Sequence, residues 1–139
     1  METIYKSLLL DHFHNPRHKG DLDAMDRVGR GSNPRCGDEI EVGIRVAGDT
    51  LEAVGFRGRG CSICLASASI MCECTNGLAL DEARRQVGQM LAWFDGAEGT
   101  APSHTSLAAL GALREHAARR KCVLLSWSAL QEILANLDA

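Results

Sequence analysis

The fold is decided by one alternating stretch of the chain, Glu39-Ile40-Glu41-Val42-Gly43-Ile44-Arg45-Val46. Its apolar residues occupy every second position, which is the pattern of a β-strand with one buried face and one hydrated face. A turn-forming segment, Ala47-Gly48-Asp49-Thr50, follows it, and residues 51–56 then return as a partner strand. The stretch therefore predicts an antiparallel sheet built around a hairpin.

The segments on either side of the hairpin predict the rest of the fold. Residues 26–31 indicate a further short strand. Helical spacing of apolar residues predicts helices over 3–13, 62–76, 81–95, a short segment from 103 or 104, and a last segment from about 120. Asp81 is expected to cap the third of these helices. We therefore expect an α+β fold, with a small antiparallel sheet of about three strands packed against four to five helices.

Composition limits the class of protein. With 139 residues, 45% of them apolar and 24% charged, the chain suits one globular domain over residues 1–139. The net charge of -3 gives no basic excess, so we expect no nucleic-acid partner. No apolar run approaches the roughly 20 residues that span a bilayer, and the first residues lack the features of a signal peptide. The sequence predicts a cytoplasmic protein without a membrane partner.

The cysteines are the residues most suggestive of chemistry. Six are present, too few for a disulfide scaffold of this length, so core packing, metal binding and catalysis are the roles to weigh. Cys36 and Asp38 share a glycine-containing turn, Cys61 lies between a strand and a helix, and Cys122 is expected in the first turn of the last helix. Turns and helix N-termini offer N–H groups that favour thiolate, the form that binds metal. Spacing alone leaves open both a shared metal site and buried structural cysteines.

Five segments, in this order along the chain, resemble the IscU/NifU-like iron–sulfur scaffold family. They are Asp11-His12-Phe13-His14-Asn15-Pro16-Arg17, Asn33-Pro34-Arg35-Cys36-Gly37-Asp38, Gly58-Arg59-Gly60-Cys61-Ser62-Ile63, Ala66-Ser67-Ala68-Ser69 and Lys121-Cys122-Val123-Leu124-Leu125-Ser126-Trp127. In that family the counterparts of Cys36, Asp38, Cys61 and Cys122 bind zinc or a nascent iron–sulfur cluster. The resemblance implies that the same four residues form the metal or cofactor site here.

Three features resemble the SufU subclass of that family. Lys121 precedes Cys122 where Isc-type scaffolds carry a histidine, and the Leu-Pro-Pro-Val-Lys segment gripped by a dedicated Isc-type chaperone is missing, so no such chaperone is expected as a partner. The chain between Cys61 and Cys122 is also longer than in Isc-type members. We place the insertion that is typical of the subclass at about residues 96–118.

The subclass resemblance implies a zinc-dependent sulfur acceptor that takes persulfide sulfur from a SufS-type cysteine desulfurase. Cys36 is the expected catalytic residue, because its position matches the family's acceptor and a glycine-flanked turn can move. Zinc is the expected cofactor. The alternative is a scaffold on which the same four residues hold a transient [2Fe-2S] cluster. Downstream Suf scaffold proteins are further candidate partners. The sequence does not decide the oligomeric state or whether the protein is an enzyme.

Three further cysteines, Cys64, Cys72 and Cys74, fall within the helix predicted over 62–76. Cys61-x-x-Cys64 imitates a redox motif but lacks the βαβ context that such a motif needs. We expect all three to be small buried residues. The histidines His12, His14 and His18 are left out of the predicted site.

Overall fold

Three antiparallel strands and five α-helices form the part of the chain that the computed structural model describes, which is residues 3–34, 37–96, 102 and 104–138. In chain order the elements are α1 Thr3–His14, β1 Arg27–Asn33, β2 Asp38–Ala47, β3 Thr50–Arg59, α2 Ser62–Thr75, α3 Leu80–Phe94, α4 Thr105–Gly111 and α5 Ala117–Ala135, with a last 3₁₀ turn at Asn136–Asp138. The predicted α+β class is confirmed, and so are the three-stranded antiparallel sheet and the number of helices.

The sheet has the order β1-β2-β3, so the alternating strand β2 lies in its centre. Ile40, Val42 and Ile44 on β2 are completely buried, as the period of two requires. In the β2–β3 register, Ile40 lies opposite Gly58. Gly58 has a φ of +142°, and a Cβ there would lie 2.1 Å from the carbonyl oxygen of Glu39, so the close pairing of these strand ends requires glycine. This pairing brings the start of β2 next to the chain that leaves β3.

The helices cover the sheet and enclose one core. α2 packs against α1, α5 and β3, while α5 also packs along β1 and β2. The largest fully buried side chain is Trp127 of α5, which shares the core with Phe56 of β3 and Met71 of α2. α2 and α5 thus pack against each other and against the strands of the sheet.

Some predicted boundaries are wrong. α5 begins at Ala117 rather than about residue 120, so Cys122 lies in the second turn of this helix and not in the first. β1 spans Arg27–Asn33 rather than 26–31, because its residues continue to pair with β2 as far as Asp38. The extent of a strand depends on its pairing with a neighbouring strand, which the local sequence of β1 does not contain.

Asp81 does not cap α3. Ala79 holds the N-cap position without a side-chain hydrogen bond, and the Asp81 carboxylate instead pairs with Arg84 at 3.2 Å. The start of α3 is fixed by the hairpin: the Leu80 N–H donates to the carbonyl of Asp49 at 2.7 Å, and Ala79 bridges to Thr50. This contact places the N-cap at Ala79, two residues before the predicted cap at Asp81.

Two predictions concern residues outside the described ranges. The first concerns Cys36, which is not among the described residues. The second is the predicted insertion at 96–118, of which residues 97–101 and 103 are not described. Within 96–118 the structure describes α4 and the connection from α4 to α5. None of the described helices is both long enough and apolar enough to cross a membrane.

Candidate metal centre

Asp38 is the first residue of β2, and its carboxylate is turned into the protein. It is 2% exposed, and its Oδ1 accepts a hydrogen bond from the Cys61 N–H at 2.9 Å. Gly60 makes room for this contact, because a Cβ at that position would lie 2.9 Å from Asp38 Oδ1 and 3.2 Å from the Cys64 sulfur. The carboxylate is therefore anchored to the backbone of the segment that precedes α2.

Cys61 is the N-cap residue of α2, as the sequence predicts. Its Sγ accepts a hydrogen bond from the Cys64 N–H at 3.4 Å and lies 4.0 Å from Asp38 Oδ2. The side chain remains partly exposed. An N–H donor and the positive end of the helix macrodipole both favour a negative charge on this sulfur.

Cys122 approaches from the other side, on α5, and is 4% exposed. A buried hydroxyl fixes α5 against α2: Ser67 Oγ donates to the carbonyl of Val123 at 2.6 Å and accepts from Trp127 Nε1 at 3.0 Å. This link joins the helix that Cys61 caps to the helix that carries Cys122. This side-chain bridge, together with the packing of α2 on α5, helps to hold the two thiols in place.

Asp38, Cys61 and Cys122 each offer one ligand atom, and these atoms all lie within 4.8 Å of one another. Two sulfurs and a carboxylate oxygen are donors that zinc accepts. Zn–S bonds of about 2.3 Å in a tetrahedral site place sulfurs roughly 3.8 Å apart, which is within the 4.8 Å that encloses the three ligand atoms. The donor set therefore fits zinc, and it combines a strand start, a helix N-cap and a helix interior.

The electrostatics of the group favour a bound cation. Burial raises the pKa of the Cys122 thiol above its ordinary value, and the neighbouring Cys61 and Asp38 raise it further. Two thiolates and one carboxylate would concentrate negative charge in a largely water-free place, which is costly unless a cation balances it. A divalent metal would supply that balance.

The fourth predicted ligand, Cys36, lies outside the described residues and stands two positions before Asp38 in the sequence. The described part of the chain thus brings three of the four predicted site residues together. The position of the fourth stays a prediction.

The remaining described cysteines, Cys64, Cys72 and Cys74, are buried, as expected. Burial raises the pKa of Cys74 to about 12 and raises the pKa of Cys72 as well. Thiols of this kind ionise little at neutral pH and are poor nucleophiles. Cys64 is fully buried behind Cys61, where its N–H supports the Cys61 sulfur.

His12 belongs to the packing of α1 and not to the group of ligands. Its Nδ1 lies 2.8 Å from Ser69 Oγ, and the same hydroxyl accepts from the Arg17 N–H at 2.8 Å. Burial lowers the pKa of His12, so the ring is neutral near pH 7. This histidine holds α1 and the segment after it against α2.

A family model described as the NifU-like N-terminal domain matches residues 4–133. The chain belongs to this family. The resemblance inferred from the five sequence segments is thereby confirmed, and the match covers every element from α1 to most of α5.

Several members of the NifU-like family can be compared with this chain over nearly its whole length. The zinc-dependent sulfurtransferase SufU of Bacillus subtilis (strain 168) is 35% identical over 137 residues, which is 98% of this chain and 92% of that protein. The iron–sulfur cluster assembly scaffold protein IscU of Streptococcus pyogenes serotype M1 is 33% identical over 135 residues, 96% of this chain and 84% of that protein. The crystal structure of FiSufU from Fervidobacterium islandicum AW-1 superposes with a TM-score of 0.86 at 27% identity, covering 94% and 96% of the two chains.

Two residues that shape the centre were missed by the sequence reasoning. Gly60 clears the space for the Asp38 carboxylate, and its place directly before Cys61 in a glycine-rich strand end is a signal that could have indicated this. Ser67 joins α2 to α5 through partners 56 and 60 positions away. No local pattern reveals such a distant pairing.

Proposed function

We propose that this protein accepts persulfide sulfur from a SufS-type cysteine desulfurase at a zinc centre, and that it does so for iron–sulfur cluster assembly. The observation that carries the proposal is the convergence of Asp38, Cys61 and Cys122, whose ligand atoms lie within 4.8 Å of one another. The likeness to a relative named as a zinc-dependent sulfurtransferase, over 98% of this chain, supports the same conclusion. We assign the insertion at 96–118 to the SufU subclass and expect the protein to work in the cytoplasm.

Asp38, Cys61 and Cys122 would hold the zinc, with Cys36 as the fourth ligand. Zinc bound there would keep cysteine sulfur in the thiolate form at neutral pH, where a free thiol of pKa about 8.5 is only slightly ionised. The Cys64 N–H and the N-terminus of α2 stabilise negative charge on Cys61. Cys61 and Asp38 are held by hydrogen bonds. We expect Cys36 to be the acceptor, because its place in the sequence matches the acceptor of the family and Gly37 follows it.

In the proposed transfer, the Cys36 thiolate attacks the terminal sulfur of the enzyme persulfide. A bond forms between Cys36 Sγ and this sulfur, while the bond between the terminal sulfur and the enzyme cysteine breaks. The electron pair of the broken bond leaves with the enzyme cysteine, which then takes up a proton. One disulfide-type bond replaces another, so no external oxidant or reductant is needed.

Desulfurase turnover tests the proposal. The zinc-loaded protein should accelerate alanine formation by a purified SufS-type desulfurase, and Cys36→Ser should abolish the acceleration while its circular dichroism stays that of the wild type. Alkylation of trapped persulfide, followed by peptide mass analysis, should place the label on the peptide that contains Cys36. Absence of acceleration by the wild type, or a label mainly on Cys64, Cys72 or Cys74, would overturn the assignment.

The second candidate is a scaffold for a [2Fe-2S] cluster, which the likeness to a protein named as the scaffold IscU favours. The same four residues would bind the cluster, and the Asp38 carboxylate would be a more weakly held ligand than a fourth thiolate. Metal analysis after anaerobic purification separates the two functions. Colourless protein with one zinc supports sulfur transfer, whereas brown protein with iron and labile sulfide supports the scaffold.

A further inference from the structure

A cleft of about 670 Å³ opens beside the metal centre, between α1, the start of α2 and the connection from α4 to α5. Its floor includes Leu10, Phe13 and Ile63. Leu10 is 44% exposed and is one of two large hydrophobic residues that are exposed in the described part of the chain. The cleft therefore presents apolar side chains to water at a place where they can be covered.

The rim of the cleft is basic. Lys6, His116 and Arg119 line it, all three are exposed, and none of the residues lining the cleft is acidic. Within the described ranges these three side chains form no ion pair, whereas Arg17, Arg57 and Arg85 each pair with a carboxylate. Asp11 lies on α1 together with Lys6, but its carboxylate forms an ion pair with Arg17 at 2.7 Å. The cleft is therefore cationic and apolar, although the chain as a whole carries a net charge of -3.

The cleft adjoins the metal centre through the chain itself. Ser62 and Ile63 directly follow the candidate ligand Cys61, and Arg119 lies three residues before Cys122 on α5. Residues three apart on a helix share a face, so Arg119 lies one turn from the thiol. A protein segment held in the cleft would bring the rest of its parent protein over the centre.

We propose that this cleft docks an acidic segment of the desulfurase that carries an apolar anchor residue. The proposal rests on the proposed function. The anchor side chain covers Leu10 and Phe13, while carboxylates beside it meet Lys6 and Arg119. Apolar contact supplies the affinity of such an interface, and complementary charge supplies its orientation and rate of association.

Direct binding measurements test the docking surface. Zinc-loaded protein is titrated with purified SufS-type desulfurase by isothermal titration calorimetry, at low salt and at high salt. We expect Lys6→Glu combined with Arg119→Glu to raise the Kd at least tenfold, and Leu10→Ser to raise it as well. Salt should weaken binding of the wild type more than binding of the double variant, because the screened charges are already reversed.

Arg27→Glu is the matched control. Arg27 is exposed on β1, has no ion pair among the described residues, and lies at the end of the strand away from Asn33, roughly 20 Å along it. Its reversal should change the Kd less than twofold, and every variant should retain zinc. Equal weakening by Arg27→Glu would show that only net charge matters and would overturn the proposal. Wild-type affinity in the double variant would overturn it as well.

Turnover distinguishes failure of the surface from failure of the function. At saturating concentrations the double variant should still accelerate the desulfurase, with a half-saturating concentration at least tenfold higher than that of the wild type. Acceleration with an unchanged half-saturating concentration would reject the cleft and leave the sulfur-acceptor function standing. Binding that depends on the cleft, without acceleration by the wild type, would reject the function and support the surface.

Discussion

Two contributions of Asp38 can be tested separately: its proposed role as an oxygen ligand of zinc, and its acceptance of the Cys61 N–H at 2.9 Å. Asp38→Ala removes both, and we expect zinc affinity to fall at least tenfold because three protein ligands remain. Asp38→Asn keeps an oxygen that can accept the Cys61 N–H but loses the charge. It should weaken zinc while leaving the metal-free protein nearly as stable as the wild type. Competition with a chromophoric chelator measures the affinity, and wild-type affinity in Asp38→Ala would show that this residue is not a ligand.

The buried cysteines Cys64, Cys72 and Cys74 give a second prediction at the residue scale. The triple change to serine should retain zinc and most of the desulfurase stimulation but lose stability, by about 1–3 kcal/mol for each hydroxyl left without a partner. In the native wild type, Cys72 and Cys74 should resist iodoacetamide at pH 8, because burial raises the pKa of both thiols. Peptide mass analysis after timed alkylation checks this.

A triple change to alanine is the control for polarity at these positions. It removes the sulfur atoms without adding hydroxyl groups, so it should be more stable than the triple serine variant. Loss of zinc from both triple variants would contradict the view that these cysteines only fill the core. It would point to Cys64, which lies directly behind the candidate ligand Cys61.

At the scale of elements, α2 and α5 are joined by Ser67, which donates to Val123 and accepts from Trp127. Ser67→Ala leaves the Trp127 indole N–H buried without its acceptor, at a cost of about 1–3 kcal/mol. We expect a lower melting temperature and weaker zinc binding, because Cys61 and Cys122 lie on the two elements that this hydroxyl joins. Differential scanning calorimetry and chelator competition measure the two effects.

Ser126→Ala is the matched control on the same helix. Ser126 Oγ is also buried, but it has no hydrogen-bond partner in the described structure. Its removal relieves the burial of an unpaired hydroxyl, so this variant should be as stable as the wild type or more stable. Equal destabilisation by both serine changes would mean that the loss at Ser67 comes from packing and not from its hydrogen bonds.

The elements differ in how far the sequence predicts them. β2 and the helix after Cys61 were predicted almost to the residue, because a period of two and a run of small residues before Gly77 are local signals. The start of α5 is predicted less well. Its N-cap residue, His116, makes no capping hydrogen bond with its side chain, so the sequence carries no capping signal at this point. Helix α3 starts where the hairpin holds Leu80, which is a tertiary contact. Local chemistry predicts the elements, whereas contacts between them set several of their ends.

For the whole molecule, the spacing of the cysteines alone leaves open both a shared metal site and buried structural cysteines. The family resemblance selected Cys36, Asp38, Cys61 and Cys122, and the fold brings the three described members together. The register of the sheet contributes to this arrangement, because the pairing of β2 with β3 places Asp38 beside the segment that leads into α2. Spacings of 23 and 61 residues between ligands have no local signature, so only the folded chain shows that these side chains meet.

Zinc would therefore connect β2, α2 and α5, and its removal should act on the whole fold. A ligand that binds only the folded state adds stability that grows with the ratio of its free concentration to its Kd, so a strong chelator should lower the melting temperature of the zinc-loaded protein. The same treatment should abolish stimulation of the desulfurase, and added zinc should restore both. In Asp38→Ala the chelator should shift the melting temperature less, because that variant holds zinc more weakly. Full stimulation by protein shown by elemental analysis to contain no metal would contradict a mechanism in which zinc organises both the fold and the thiolates.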